Sequence, residues 1–206
     1  SGAMYKKPVI IFEGIEGSGK TFHVNYVSNY LKKKKIKHIL LREPGGSANS
    51  EKIRRLILKN DSNFNKNTDL LLYLAARSEN IDLLKKNYKK KIILIDRFID
   101  STIAYQHYGF GIHLSFINTI NNYLLKNFRP DFTFINIVNP QNMRKRLRIR
   151  KKQNRYDLFN LKFYKNVQAG FIKISKNKKK YKIINSNLEI SFNKDIIKKQ
   201  IDKLIN

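Results

Sequence analysis

The segment GIEGSGKT, residues Gly14–Thr21, places strong limits on the architecture of the whole chain. Its glycines, lysine and threonine match the pattern G-x-x-x-x-G-K-[ST] of a phosphate-binding loop in full. A loop of this kind lies between a buried strand and a helix, because amide groups at the helix N-terminus bind the phosphates. The apolar run PVIIFEG precedes it, and a helix is expected from about Lys20 to Lys34.

Predicted strands and helices alternate along the rest of the chain. Four further apolar segments are predicted as strands: KHILLRE, KKIILIDR, DFTFINIV and YKIINS. Helices are predicted over SEKIRRLILK, around STIAYQ, over LSFINTINNYLLKNF, from about Pro140, from about Leu158 to Lys176, and at the C-terminus. The segment TDLLLYLAARSENIDLLKKNY is predicted as one long helix. We therefore expect an α/β fold with a five-stranded parallel sheet flanked by helices, in one domain over residues 1–206.

The chain carries a large excess of positive charge, with 43 lysine and arginine residues against 15 acidic ones and a formal net charge of +28. Such a balance is typical of proteins that bind nucleic acids or anionic membranes. The 32 Lys, 24 Asn and 28 Ile residues are, however, also favoured when codons drift toward A and T. Since the lysine runs are scattered, we expect drift and attraction for phosphate-bearing ligands, with no specific nucleic-acid partner.

The sequence contains no cysteine, which excludes a disulfide framework and a thiolate zinc site. No apolar run approaches the roughly 20 residues that span a bilayer, and the N-terminus lacks the layout of a secretion signal. The residues SGA before Met4 are interpreted as the remnant of an expression tag, residues 1–3. We expect a cytoplasmic protein without a membrane partner.

The phosphate loop indicates that a nucleotide is the phosphate donor. Lys20 would place a positive charge beside the β- and γ-phosphates, and Thr21 would ligate Mg²⁺. Asp96, at the end of the third predicted strand, would hold Mg²⁺ through water, with a helix-capping role as the alternative. The residues predicted to bind this donor, which the family resemblance described below implies is ATP, are Gly14, Ile15, Glu16, Gly17, Ser18, Gly19, Lys20 and Thr21.

A phosphate loop alone fits ATPases, GTPases, shikimate kinases and nucleotide kinases alike. Four further segments narrow the choice: REPGG at 42–46, YLAAR at 73–77, DRFIDSTIAYQ at 96–106 and FRPDFTF at 128–134. In order and spacing they resemble the signature segments of the thymidylate kinase family, over nearly the whole chain from Pro8. The resemblance implies the P-loop nucleoside monophosphate kinase fold, γ-phosphate transfer from Mg²⁺·ATP to dTMP to give dTDP for dTTP synthesis, and a homodimer.

The resemblance also implies the residues of the acceptor site. Arg97 would bridge the acceptor phosphate and the γ-phosphate, and Arg42 would orient the same acceptor, since the planar fork of arginine binds a phosphate at two points. Tyr73 would stack on thymine, and Tyr105 would fill the space of a ribose 2′-hydroxyl; a half-buried core position is the alternative for each ring. The implied dTMP-binding residues are Glu16, Arg42, Tyr73, Arg77, Arg97, Thr102, Tyr105 and Gln106.

The segment RIRKKQNRYD resembles the lid of bacterial members of this family, with the lid at about residues 148–157. None of the residues Ile15–Ser18 is basic, so a cation that stabilises the transferred phosphoryl group has to come from another segment. The candidates are Arg148, Arg150 and Arg155, with a solvated basic helix end as the alternative for each. The predicted catalytic residues are Lys20, Arg97, Arg150 and Arg155.

Three positions depart from the family pattern. Asn136 stands where an acidic residue usually follows the fourth strand, Asn154 where the lid often has Asp, and Phe22 where a small or hydroxylated residue is usual. Two other functions remain open at this point. One is a kinase for another or several nucleoside monophosphates, because a pocket discriminates one methyl group by only about 1 to 3 kcal/mol. The other is a catalytically impaired relative that binds nucleic acid.

Overall fold

The computed structural model of the chain describes residues 4–149 and 155–206. Its strands are β1 (Val9–Gly14), β2 (His38–Arg42), β3 (Ile92–Asp96), β4 (Phe132–Ile137) and β5 (Tyr181–Asn185). They form one sheet in the order β2-β3-β1-β4-β5, and every pairing is parallel. The prediction of a five-stranded parallel sheet flanked by helices is confirmed.

Helices connect the strands and cover both faces of the sheet. Their bounds are α1 (Lys20–Lys33), α2 (Ala48–Leu58), α3 (Lys66–Ser78), α4 (Ile81–Asn87), α5 (Ile99–Thr102), α6 (Leu114–Leu125), α7 (Pro140–Ile149), α8 (Leu161–Ser175) and α9 (Ile190–Ile205). A π-helix at Ile103–Gly109 continues α5, and a 3₁₀ turn at Arg155–Leu158 precedes α8. Within the described residues, no helix combines the length and apolar character needed to cross a membrane.

Strand β1 is buried along its whole length because it lies in the middle of the sheet. Ile10 and Phe12 belong to the core that α1 and α9 cover. Val9 and Ile11 belong to the core on the opposite face, with side chains of α4 and α6. Alternate residues are thus buried on both faces, which explains why the strand is an almost continuous apolar run in the sequence.

The prediction of one long helix over residues 68–88 is wrong, since α3 ends at Ser78 and α4 begins at Ile81. The side chain of Asn80 at this break is buried and bonded to a distant loop. Its Nδ2 donates to the carbonyl oxygen of Gly45 at 2.6 Å, and its Oδ1 accepts from the amide of Ser47 at 3.0 Å. These contacts hold Asn80 in the turn, and they are invisible to a helical pattern in the sequence.

Two local features refine other predicted helices. Helix α8 begins at Leu161 rather than near Leu158, because Asn160 caps it by accepting a hydrogen bond from the amide of Phe163 at 2.9 Å. The segment around STIAYQ is helical as expected but passes into the π-helix, where the amide of Phe110 bonds the carbonyl oxygen of Tyr105 at 3.0 Å. Short π-helices are rare and occur mostly at functional sites.

The sheet has two short edge strands, β2 and β5, of five residues each. Leu40 on β2 and Ile183 on β5 are 44% and 39% exposed. In the interior, β1 ends at the phosphate loop and β3 ends at Asp96, which lies in register with Arg42 at the end of β2. The carboxyl ends of these three strands therefore meet at one edge of the sheet, where parallel α/β proteins bind ligands.

Candidate active site

The phosphate loop leaves β1 at Gly14 and enters α1 at Lys20. Gly14 has a φ of +148°, and a Cβ at this position would lie 2.5 Å from Oγ of Ser18. Gly19, with a φ of +81°, is the N-cap of α1 and has no side chain to bond the first amides of the helix. The backbone is thus arranged so that the N-terminal amides of α1 can bind an anion.

Lys20, Thr21 and Asp96 form a charged cluster between the loop and the end of β3. Nζ of Lys20 pairs with Oδ1 of Asp96, and Oγ1 of Thr21 donates to Oδ2 of Asp96 at 3.1 Å. Burial and the positive charge of Arg97 lower the pKa of Lys20, against the effect of Asp96. Burial alone would raise the pKa of Asp96, but Lys20 and Arg97 hold it below its ordinary value. A cation and a hard oxygen ligand therefore lie together where phosphates would bind.

Arg97 reaches from the end of β3 toward the phosphate loop. Its Nη2 lies 2.7 Å from Oε1 of Glu16, and its Nη1 donates to Oγ of Ser101 at 3.2 Å. Its guanidinium lies over the ring of Tyr105, 5.2 Å from the ring centre. The backbone has a φ of +71°, a left-handed conformation that costs energy in any residue but glycine. Such strain is typical of functional sites, where the surroundings hold it in place.

Glu13 fixes the backbone that follows Arg97. Its Oε2 accepts hydrogen bonds from the amides of Phe98 and Ser101, each at 3.0 Å, and its Oε1 accepts from Oγ of Ser101 at 2.5 Å. The side chain is fully buried, and burial together with the charge of Asp100 raises its pKa to about 7. The sequence interpretation did not single out Glu13. The sequence could have identified Glu13 as an acidic residue inside an otherwise apolar buried strand.

Arg77 is held by three partners inside the protein. Its Nε and Nη2 donate to Oε1 of Glu43 at 2.9 and 2.8 Å, its Nη1 donates to Oδ1 of Asn121 at 2.7 Å, and its Nη2 also donates to Oγ1 of Thr102 at 3.0 Å. Four of its five N–H groups are therefore engaged by described residues. The guanidinium is oriented rigidly and only 3% exposed.

Three tyrosines form an aromatic wall beside Arg77 and Arg97. The ring of Tyr156 meets those of Tyr73 and Tyr105 edge to face, with centres 6.0 and 5.8 Å apart. Burial raises the pKa of Tyr73 well above its ordinary value, so its hydroxyl stays protonated even in alkaline solution. We call Tyr73, Tyr105 and Tyr156 the aromatic wall.

These groups line a cleft of about 280 Å³ at the carboxyl ends of β1, β2 and β3. Every predicted dTMP-binding residue lines it, and so do the predicted loop and metal residues Lys20, Thr21 and Asp96. The lining residues from the prediction are Glu16, Lys20, Thr21, Arg42, Tyr73, Arg77, Asp96, Arg97, Thr102, Tyr105 and Gln106.

Several lining residues were missed by the sequence interpretation, among them Glu43, Arg54, Ser101 and Tyr156. Arg54 donates to the carbonyl oxygen of Pro44, in the middle of the REPGG segment, at 2.8 Å. The sequence could have identified Arg54 by its position, three residues before the buried Ile57 and so on the inward side of α2.

A polar network supports the phosphate loop from behind. Arg146 of α7 donates from Nη1 to the carbonyl oxygen of Gly17 at 3.1 Å and from Nη2 to that of Ser186 at 2.7 Å. Nδ2 of Asn136 lies 3.1 Å from the carbonyl oxygen of Ser18 and 3.0 Å from Oγ of Ser186. The arginines predicted for the lid begin at Arg148, so Arg146, which contacts the loop, is not among them.

The predicted lid arginines have different surroundings. Arg148 is exposed on α7, and Arg150 lies outside the described residues. Arg155 is buried and pairs with Asp69 of α3, with its Nη2 2.7 Å from Oδ1. Neither Arg148 nor Arg155 lines the cleft.

A parallel sheet with a phosphate loop at its centre, and one cleft that joins this loop to an arginine-rich aromatic pocket, define a P-loop nucleotide kinase with the nucleoside monophosphate kinase fold. A family model described as thymidylate kinase matches residues 12–197. The chain belongs to the thymidylate kinase family, as the sequence resemblance predicts.

Individual relatives agree with the family model over most of their length. The thymidylate kinase of Thermosipho africanus is 37% identical over 183 residues, which cover 88% of this chain and 90% of that protein. The thymidylate kinase of Kosmotoga olearia is 34% identical over 169 residues, 81% of each chain. The crystal structure of thymidylate kinase from Ehrlichia chaffeensis superposes with a TM-score of 0.77 at 33% identity, covering 95% of this chain and 98% of that one.

Proposed function

We propose that this protein transfers the γ-phosphate of ATP to the 5′-phosphate of dTMP, giving dTDP for dTTP synthesis. The observation that carries the proposal is the shared cleft, in which Lys20 of the phosphate loop and the aromatic wall line the same space. Donor and acceptor phosphates can therefore meet without a long movement of either nucleotide. Membership of the thymidylate kinase family supports the choice of dTMP over other acceptors.

The donor would bind with its phosphates on the N-terminus of α1. Lys20 would exchange part of its contact with Asp96 for the β- and γ-phosphate oxygens, and its positive charge would stabilise the transferred group. Arg146 and Asn136 hold the carbonyl oxygens of Gly17 and Ser18 away from the phosphates. The loop amides would then be oriented before the nucleotide arrives, which lowers the reorganisation needed during transfer.

Thr21 and Asp96 fit a role in holding Mg²⁺. Their side-chain oxygens lie 3.1 Å apart at the donor end of the cleft, and Asp96 stays ionised because Lys20 and Arg97 lower its pKa. Among the described residues, no three His, Cys, Asp or Glu side chains converge on one point. This agrees with Mg²⁺, which proteins often bind through one or two side chains while phosphates and waters complete the shell. The ion would neutralise charge on the β- and γ-phosphates.

Arg97 would hold the acceptor phosphate against the donor. Its guanidinium is fixed by Glu16 and Ser101 within the cleft, so the fork can bind a phosphate in a defined orientation. The side chain of Arg42 is 55% exposed, and its Nη2 donates to Oε2 of Glu51 at 3.1 Å. It would close on the acceptor phosphate from the end of β2.

The remaining cleft residues would select the base and the sugar. Thymine would stack on Tyr73, and the rigid guanidinium of Arg77 would present its remaining N–H to a base carbonyl. Thr102 and the fully buried Gln106 would lie at the base edge. Tyr105 would exclude a ribose 2′-hydroxyl, and Glu16 would contact the 3′-hydroxyl.

We also propose a cytoplasmic homodimer without a specific nucleic-acid partner. Exposed apolar side chains on α3 and α6 support a protein interface: Leu71, Phe116 and Tyr123 are 53%, 46% and 75% exposed. Phe116 and Tyr123 are seven residues apart, which places them on the same side of α6. Light scattering on the wild type and on Tyr123→Glu measures the mass directly, and a wild-type monomer would contradict the dimer.

The activity is tested by coupled assays with Mg²⁺·ATP and a panel of dTMP, dUMP, dCMP, dAMP, dGMP and UMP. We expect kcat/KM for dTMP to exceed that for dUMP by about 10-fold or more, the factor that one methyl group supplies, and the other acceptors to react far more slowly. Preference for any other monophosphate would contradict the proposal. A protein with no turnover that bound DNA tightly at physiological salt would support the nucleic-acid alternative instead.

A further inference from the structure

The ion pair of Asp69 and Arg155 joins α3 to the 3₁₀ turn that precedes α8, and the function proposed above gives this contact no role. Asp69 lies in the first turn of α3, the helix that carries Tyr73 and Arg77, and Arg155 opens the 3₁₀ turn at the C-terminal end of the predicted lid. Nη2 of Arg155 lies 2.7 Å from both carboxylate oxygens of Asp69. The two side chains are only 3% and 9% exposed.

A buried ion pair is weak evidence for added stability, because desolvation offsets much of the attraction between the charges. Its geometry is nevertheless demanding, since a buried charge that loses its partner is strongly unfavourable. Arg155 also lies over the rings of Phe64 and Tyr156, with its guanidinium 6.0 and 5.0 Å from the ring centres. The arginine is therefore held on several sides, and it does not line the cleft.

The same carboxylate contacts the residue after Arg155. The hydroxyl of Tyr156 lies 3.3 Å from Oδ2 of Asp69, and its ring, 2% exposed, packs edge to face on Tyr73 and Tyr105. Burial and the charge of Asp69 raise the pKa of this hydroxyl, so it stays protonated and can donate to the carboxylate. One acidic side chain thus fixes two successive residues, the second of which belongs to the aromatic wall.

We infer that Asp69 and Arg155 are positioning residues that anchor the 3₁₀ turn to α3 and hold Tyr156 in the aromatic wall, so that they set the affinity for the acceptor nucleotide. In this role Arg155 does not contact the transferred phosphoryl group. Moving it there would leave Asp69 as an uncompensated buried charge. The task of the lid cation then passes to another arginine of the lid.

The inference rests on the proposed function, and a double-mutant cycle tests it with Asp69→Asn, Arg155→Gln and the double variant. We expect each single variant to raise KM for dTMP about 10-fold while kcat changes less than about 2-fold. The double variant is expected to be no worse than the singles, because both remove the same contact. Asp61→Asn is the matched control: Asp61 forms an exposed pair with Lys59 at 3.5 Å, and its loss should leave both constants unchanged.

Three results would overturn the inference. A fall in kcat of about 10³-fold in Arg155→Gln, with Asp69→Asn unaffected, would identify Arg155 as the lid cation. Unchanged KM in both single variants would remove the anchor, and additive effects in the double variant would show two independent roles.

The remaining controls separate folding and substrate choice from the anchor. If Asp69→Asn does not fold, Tyr156→Phe keeps the ring and removes only the hydroxyl contact. We expect its KM for dTMP to rise about 3-fold, and an unchanged KM would overturn the inference. The wild type in the same assays tests the proposed function separately: if it prefers another monophosphate, that acceptor replaces dTMP in the cycle and the anchor is judged on it.

Discussion

Nδ2 of Asn136 lies 2.7 Å from Nδ1 of His23, behind the phosphate loop. An amide nitrogen only donates, so Nδ1 of His23 accepts and the imidazole carries its proton on Nε2. Burial and the nearby charge of Arg146 lower the pKa of His23, which favours the neutral ring that accepts this hydrogen bond. The hydrogen bond between Asn136 and His23 thus requires a neutral imidazole. The same amide also contacts the carbonyl oxygen of Ser18 in the loop.

Asn136→Asp should therefore raise the pKa of His23, which its native surroundings lower. A carboxylate beside the imidazole favours its protonated form, and we expect the pKa of His23 to rise by about 1 or more. A ¹H–¹⁵N NMR titration of the histidine side chains measures this. Asn122→Asp, an exposed change on α6, serves as control. An unchanged or lower pKa of His23 in Asn136→Asp would contradict the close contact between the two side chains.

Lys20→Ala should nearly abolish turnover while the protein remains folded. The loop backbone would still bind phosphates, but the charge that faces them would be lost, and the loss of one such group lowers kcat by on the order of 10²-fold or more. Lys33→Ala, at the exposed end of the same helix, is the control and should behave as wild type. Near-normal kcat in Lys20→Ala would contradict the donor site.

The lid cation should be found among Arg148 and Arg150. Replacement of the active one by alanine should lower kcat by on the order of 10³-fold with a much smaller change in KM for dTMP, because the contact strengthens as charge develops in the transition state. Lysine at the same position should restore only part of the rate, since it keeps the charge and loses the fork. Arg144→Ala, exposed on α7, is the control. If both variants keep wild-type kcat, the lid does not supply this cation.

Tyr105→Ala should weaken the exclusion of ribonucleotides. We expect the ratio of kcat/KM for dTMP to that for ribothymidine 5′-monophosphate to fall about 10-fold or more. The ring also packs on Phe163 and Phe171, so the free energy of unfolding should drop by about 3 kcal/mol. Tyr105→Phe keeps the ring and should keep the discrimination. An unchanged ratio in the alanine variant would rule out this role of Tyr105.

Glu13 should make the fold less stable as the pH rises toward neutrality. Its pKa is raised from 4.5 to about 7 in the folded protein, so between these values the folded state binds more protons than the unfolded chain and the free energy of unfolding falls with rising pH. Glu13→Gln should remove most of this pH dependence, which amounts to about 2 to 3 kcal/mol of unfolding free energy over the interval. Urea titrations from pH 5 to 8 measure it, with the exposed Glu189→Gln as control. A slope unchanged by Glu13→Gln would refute the raised pKa.

The features that sequence predicts well here are those encoded locally. The phosphate loop is specified by Gly14, Gly19 and Lys20 within eight residues, because their backbone conformations and charge suffice to form it. The strands are recognisable since burial on both faces requires a continuous apolar run. The cleft residues could be named only through the family resemblance, which carries information about contacts between distant segments.

The features that sequence did not predict depend on partners far along the chain. The break between α3 and α4 requires the contact of Asn80 with a loop about 35 residues away. The pair of Asp69 and Arg155 spans 86 residues, and nothing local distinguishes this arginine from Arg148. The π-helix likewise depends on packing of its side chains against α8 and not on residue preference alone.

Some of the excess lysines lie beside the two edge strands of the sheet, and this position affects the solubility of the protein. An exposed strand edge with an apolar residue, such as Leu40 on β2 or Ile183 on β5, is a template on which another copy can aggregate by adding its own strand. A lysine run lies close before each edge strand: Lys32–Lys35 ends two residues before β2, and Lys178–Lys180 directly precedes β5. Two copies that approach edge to edge therefore meet like charge against like charge, and this repulsion protects the protein from aggregation when it is crowded.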